Sequence, residues 1–214
     1  VRHVDLSLYL VTDSALCGAF GVAATVAAAV RGGATVVQLR EPAAADEEVV
    51  ALGRAISEAL AGTGIPLLID DRVHLVDAIG AAGAHVGQSD LDPEAARAVL
   101  GDERLLGLSA QTLEHVDAAR RLPTGTLDYL GVGPVWPQST KPDAAAPLGL
   151  RHLERIVSAS PWPCVAIGGI TEVRVPAVRA AGAAGVAVVS AICGQADPAA
   201  AARRLRAAWD GDGR

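Results

Sequence analysis

The sequence predicts an α/β protein folded as a closed (β/α)8 TIM barrel. Short runs rich in Val, Leu and Ile, of strand length, alternate with longer Ala-rich segments of helical period. The alternation repeats eight times. The 214 residues then allow about 27 per unit, close to the minimum for that barrel. An open doubly wound sheet is the competing arrangement, but no GxGxxG follows the first strand. Neither a low-complexity linker nor a break in composition divides the chain, so residues 1–214 are expected to form a single domain.

In chain order the strands are expected at residues 7–12, 35–40, 66–70, 84–86, 105–109, 127–131, 164–167 and 185–189. The intervening helices are expected at 22–31, 46–61, 73–81, 93–100, 113–121, 150–158, 173–181 and 198–209. The second helix shows the logic. Val49, Leu52, Gly53, Ile56 and Leu60 recur at i, i+3, i+4, i+7 and i+11, one stripe facing a sheet. Asp92-Pro93 and Asp197-Pro198 each offer a side-chain acceptor at N-cap and a proline at the first helical position. Gly32-Gly33, Gly83 and Gly182 follow helices and precede strands, where glycine can adopt positive φ and stop the helix.

Apolar residues make up 51% and charged residues 20%, a composition that builds a core and excludes a disordered polyelectrolyte. Aromatics are only 3%, so much of that core must be Ala and Val. The formal net charge is −6 with no basic stripe, which argues against nucleic acid as a partner. The longest apolar run, Val22 to Val30, is broken by Thr25 and is far shorter than a membrane span needs. Arg2, His3 and Asp5 precede the first strand, which is not the pattern of a signal peptide. Cys17, Cys164 and Cys193 show neither CxxC nor metal spacing and read as reduced thiols of a cytoplasmic protein.

Catalytic groups of such a barrel belong at the carboxyl ends of the strands. The polar residues gather there. Asp70, Asp71 and Asp90 are expected to converge without enough basic neighbours to pair them, which suits Mg²⁺. Capping by Asp70 or Asp90, or pairing with Arg72, is the plainer alternative. Gln38 and Arg40 share one face of strand two and point into the mouth, while Lys141 lies on the Gly- and Pro-rich loop after strand six. An inward Arg, a loop Lys and a divalent ion together suit a diphosphate. Gly168-Gly169 and Ser190, the latter expected to open a short helix over 191–194, suggest a second anion site. A nucleophilic serine is disfavoured, because no histidine is expected at a matching rim position. The residues thus point to transfer of a carbon group from a diphosphate to a second phosphate-bearing molecule.

These residues also resemble the thiamine-phosphate synthase family. The matching strings include Leu8-Tyr9-Leu10-Val11-Thr12-Asp13, Val37-Gln38-Leu39-Arg40-Glu41, Asp71-Arg72, His85-Val86-Gly87-Gln88, Tyr129-Leu130-Gly131-Val132-Gly133-Pro134, Ser139-Thr140-Lys141-Pro142-Asp143, Ala166-Ile167-Gly168-Gly169-Ile170 and Val188-Val189-Ser190-Ala191-Ile192. The resemblance implies a (β/α)8 barrel that joins a hydroxymethylpyrimidine diphosphate to a thiazole phosphate and releases diphosphate. It implies that Gln38, Arg40, Asp70, Ser109 and Lys141 bind the pyrimidine diphosphate, with Leu39, Glu41 and Pro42 also counted among the substrate-binding residues. Arg40, Ser109 and Lys141 would form the catalytic set, and Asp71 and Asp90 would hold Mg²⁺. Gln138, Ser139, Thr140, Gly169, Val189 and Ser190 would bind the thiazole phosphate. The implied partners are small phosphorylated molecules, with room left for a homo-oligomer. Three positions depart from the family pattern: Pro42 stands for Lys, Asp70 for Asn and Gln138 for Thr. A thiazole tautomerase and a silent binder of thiazole phosphate are the alternatives. Against the tautomerase, Gln111 stands where that group carries a His.

Overall fold

The computed structural model describes residues 3–140 and 146–211. Eight parallel strands close into a barrel in chain order: β1 (Leu8–Val11), β2 (Val36–Leu39), β3 (Leu67–Asp70), β4 (Gly83–Val86), β5 (Leu105–Ala110), β6 (Tyr129–Val132), β7 (Cys164–Ile167) and β8 (Gly185–Val188). The last pairs with the first through Leu8 opposite Val186. Among the described residues the helices are α1 (Ser14–Cys17), α2 (Val22–Arg31), α3 (Asp46–Ala59), α4 (Val76–Ile79), α5 (Pro93–Leu100), α6 (Leu113–Ala119), α7 (Leu150–Ala159), α8 (Val175–Ala180) and α9 (Pro198–Asp210). Short 3₁₀ turns lead into α4 and α8. No single helix among them is long and apolar enough to cross a membrane.

Period-two alternation along each strand divides the apolar residues into two cores. Tyr9, Val11, Val36, Leu68, Leu105, Tyr129, Val165 and Ala187 fill the barrel interior. Leu8, Leu10, Val37, Leu39, Ile69 and Val86 face outward and pack with Val26, Ile56, Leu153 and Ile156 of the helical layer. Small residues let that layer close tightly, as the composition suggests. A Cβ on Gly32 would stand 2.4 Å from the carbonyl oxygen of Ala199, and one on Gly53 would stand 2.7 Å from Ile79. Helix starts are fixed as the sequence indicates. Asp92 accepts from the N–H of Glu94, and Asp197 from that of Ala200, each at 2.9 Å.

Three local expectations are corrected. Gly83 does not stop a helix; Gly80 does, at φ 74°. Gly83 instead lies inside β4, where a Cβ would stand 2.0 Å from the carbonyl oxygen of Leu105. The segment after β8 forms turns and not a helix, with Ile192 and Cys193 N–H both donating to the carbonyl of Val189. Helix α1, too short to show a periodicity, was not expected. Asp13 caps it by accepting from the N–H of Leu16 at 2.9 Å.

At the amino ends of the strands, Arg97 of α5 reaches beneath the barrel. Its guanidinium donates to the carbonyls of Thr126 (3.0 Å), Gly101 (2.7 Å) and Arg104 (2.6 Å) and to the Asp128 carboxylate (3.0 Å). Asp128, 0% exposed, also accepts from Leu106 N–H at 2.9 Å. This pair ties α5 to the entrances of β5 and β6.

Candidate active site

At the carboxyl ends of the strands, the barrel interior turns from apolar to polar. Because register pairs Asp70 with His85, His85 with Gly107, and Gly107 with Tyr129, these inward residues sit side by side. Gly107 and Gly131 supply the room. A Cβ on Gly107 would fall 2.2 Å from the Tyr129 ring and 2.5 Å from His85 Nδ1, and one on Gly131 would fall 2.9 Å from the His85 ring. In that space Gln38 Nε2 donates to Tyr9 Oη (2.8 Å), and Tyr9 Oη meets Tyr129 Oη (2.9 Å). Tyr129 Oη meets His85 Nδ1 (2.9 Å), and His85 Nε2 meets Ser109 Oγ (3.0 Å). Burial pushes both phenols well above their ordinary range, so they stay protonated. Gly107→Ala drives a methyl into this cluster and is expected to cost about 1–3 kcal/mol. Chemical denaturation of the variant measures it, and an unchanged midpoint would refute the packing argument.

The structure corrects the expectation that no histidine accompanies a rim serine, since His85 and Ser109 touch. The signal was available in the alternation of β4, which turns Gly83 and His85 to the same inner face. A nucleophile is still disfavoured. The other nitrogen of His85 meets a phenol and not the carboxylate of a catalytic triad.

Gln38 is 5% exposed and faces inward, as expected. Two residues on, Arg40 lies with Nε 3.4 Å from Asp70 Oδ2, and its backbone N–H donates to Thr12 Oγ1 at 3.1 Å. The expected cluster of three carboxylates is therefore not formed, because Asp70 faces a guanidinium. Among the described residues, no three His, Cys, Asp or Glu groups converge to hold a metal. Asp71 and Asp90 lie exposed on consecutive loops. Asp71 adopts φ 59°, and its N–H donates to the carbonyl of His85 at 2.9 Å. Left-handed backbone is uncommon for residues other than glycine, and Asp is among the types that adopt it most readily. Asp90 accepts from Gly87 N–H at 2.8 Å.

The Leu39 side chain is buried in the outer core, so its backbone alone reaches the rim. Glu41 accepts from Ser14 Oγ. Arg72, not singled out from the sequence as a site residue, clamps the loop that carries Pro42. It donates to the carbonyls of Glu41 (3.2 Å), Pro42 (3.4 Å) and Ala44 (2.6 Å) and to Asp46 (2.8 Å). A guanidinium fork can hold so many acceptors at once, whereas an ammonium could not.

The second rim site lies across β6, β7 and β8. Val135 N–H donates to Ile167 O at 2.9 Å and Trp136 N–H to Gly168 O at 3.0 Å, so the loop after β6 runs along the Gly-Gly turn. A Cβ on Gly169, at φ 65°, would meet Pro137 O at 2.5 Å, so the close approach itself demands glycine. Arg174, also missed from the sequence, stacks 4.9 Å over Trp136 and donates to Gly169 O. Gln138 accepts from Thr140 Oγ1 at 2.9 Å, while Ser139 is exposed. Lys141 lies outside the described residues. The loop returns where Leu148 and Gly149 N–H donate to the carbonyls of Pro134 (2.8 Å) and Val135 (3.0 Å). Ser190 is exposed on the turn after β8, and Val189 is half-buried just before it.

A sequence profile described as thiamine monophosphate synthase matches residues 8–192. The chain belongs to this family. It is 48% identical to the thiamine-phosphate synthase of Xanthobacter autotrophicus over 207 residues, covering 97% of each chain. It is 46% identical to that of Azorhizobium caulinodans, covering 94% of each. The solved thiamine phosphate pyrophosphorylase of Pyrococcus furiosus superposes with a TM-score of 0.85 at 31% identity, covering 97% of this chain and 96% of that one. The synthase family and the barrel that the sequence implies both hold.

Proposed function

We propose that this chain is a thiamine-phosphate synthase, a transferase that joins 4-amino-2-methyl-5-(diphosphooxymethyl)pyrimidine to 4-methyl-5-(2-phosphoethyl)thiazole and releases diphosphate. The observation that carries the reading is the grouping of Gln38, Arg40, Asp70 and Ser109 at one rim of a barrel related to synthases over its whole length. In this reading Arg40 binds the diphosphate, aided by Lys141 in place of the cation that Pro42 does not supply. Asp70 keeps the guanidinium aimed into the mouth. Ser109 and Gln38 hold the pyrimidine, and the Gly169, Val189 and Ser190 backbone with Gln138, Ser139 and Thr140 holds the thiazole phosphate. The bond to diphosphate breaks first, and the thiazole nitrogen captures the pyrimidine-stabilised cation.

Asp71 and Asp90 fit Mg²⁺: they are exposed hard oxygen donors on adjacent loops, and Mg²⁺ binds through one or two carboxylates, waters and substrate phosphate. When bound, the ion offsets charge on the departing diphosphate. Three free, buried thiols support a reducing, cytoplasmic setting.

The test is diphosphate release on mixing both substrates with the protein, with and without Mg²⁺. Release that requires both substrates and stops on chelation is the expected result. No release, with thiazole phosphate still bound, would replace the synthase by a silent binder.

A further inference from the structure

We propose that the buried Tyr9–Tyr129–His85 relay is a positioning device that fixes the hydrogen-bond polarity of the pyrimidine pocket, making Ser109 a donor and Gln38 an acceptor toward the ligand. This rests on the synthase reading above. The argument is one of proton counting. Gln38 Nε2 is a donor only, so Tyr9 Oη accepts from it and must send its own proton to its other neighbour, Tyr129 Oη. Tyr129 then sends its proton to His85 Nδ1. An imidazole that accepts at Nδ1 carries its hydrogen on Nε2, which donates to Ser109 Oγ. With that oxygen already accepting, the Ser109 hydroxyl proton is directed to the mouth. At the other end, one of the two amide hydrogens of Gln38 is held on Tyr9, which fixes the orientation of the amide so that its carbonyl Oε1 serves as the acceptor toward the ligand. No buried side-chain polar atom among the described residues lacks a partner, as this assignment of donors also requires.

The two ends match an aminopyrimidine. Its exocyclic amine donates to an acceptor such as Gln38 Oε1, and its adjacent ring nitrogen accepts from a donor such as the Ser109 hydroxyl. The 4-oxo analogue presents the reverse pair, a carbonyl and a ring N–H. A site built to hydrogen-bond one of these rejects the other, because mispaired buried groups go unsatisfied. His85, Tyr129 and Tyr9 act through Ser109 and Gln38 and are not catalytic themselves. Their burial beneath the rim places the choice of pyrimidine in the barrel interior and not in the loop side chains around it.

Two measurements test this. In ¹⁵N-histidine-labelled protein without substrates, the His85 resonances are expected to show Nε2 protonated and Nδ1 not; the opposite tautomer overturns the proposal whatever the enzyme's activity. In competition between aminopyrimidine diphosphate and its 4-oxo analogue, Tyr129→Phe removes the donor to His85 and is expected to narrow the wild-type preference by about tenfold. His85→Gln, whose Nε2 donor stands in for that of histidine, is expected to keep most of the preference, and His85→Ala to lose it. A preference unchanged in both Tyr129→Phe and His85→Ala overturns the relay. Absence of diphosphate release by the wild type would instead overturn the synthase reading, and the tautomer measurement alone then decides the relay.

Discussion

Arg40→Ala lowers kcat/KM for diphosphate release by about 30- to 400-fold, the expected consequence of removing the guanidinium that faces Asp70 at the rim. Two losses combine. The diphosphate loses a planar, bidentate donor, and Asp70 is left as a carboxylate facing an incoming polyanion. Truncating one member of a desolvated charge pair costs about 2–5 kcal/mol. Here the pair is partly exposed, with side chains 18% and 17% accessible, so the lower half of that range applies. Arg40→Lys restores charge without the fork and is expected to recover only part of the rate. Steady-state diphosphate release separates the contributions. A fall in kcat as well as a rise in KM places Arg40 on the leaving group in the transition state, whereas a change in KM alone makes it a binding contact. A variant within threefold of wild type would remove Arg40 from the site.

Asp128→Ala is expected to destabilise the fold by about 3–5 kcal/mol, because it strands a largely buried guanidinium and an amide at the barrel's amino end. For a chain of this size that corresponds to a fall in Tm of about 6–20 °C. Asp128 is wholly buried, so solvent does not screen the loss. The double variant Arg97→Met, Asp128→Leu is expected to recover much of the stability, since well-packed apolar replacements of a buried pair are often tolerated. Thermal unfolding followed by circular dichroism reads both. A shift under 2 °C for Asp128→Ala would show that the pair contributes little.

The eight strands were legible because alternation and length mark them directly, and all eight are found within three residues of their expected ends. Helix caps were equally legible, since Asp92 and Asp197 act locally. What the sequence hid depends on contacts distant along the chain. Gly83 looked like a helix stop because its neighbour in β5 is 22 residues away. The pairing of Asp70 with Arg40 was hidden for the same reason, and the carboxylates were consequently expected to seek a cation together. His85 falls within a strand and so does not read as a rim residue in sequence, although its place in a barrel strand is what turns it to the interior. Arg72 and Arg174 work through backbone carbonyls, which carry no sequence signature.

The paired bonds from Leu148 to Pro134 and from Gly149 to Val135 bring the two ends of the excursion after β6 to fixed places on the barrel. Leu148 can be any residue with an N–H to give, but Gly149, at φ 74° and ψ 163°, holds a backbone conformation that only glycine adopts readily. Closing a longer excursion between such fixed ends adds only about 0.6 kcal/mol per doubling of length. Chimaeras that exchange residues 138–147 and keep Trp136, Pro137 and Gly149 are therefore expected to retain the barrel. On the proposed assignment of this loop to the thiazole phosphate, specificity for that substrate can then vary without renegotiating the fold.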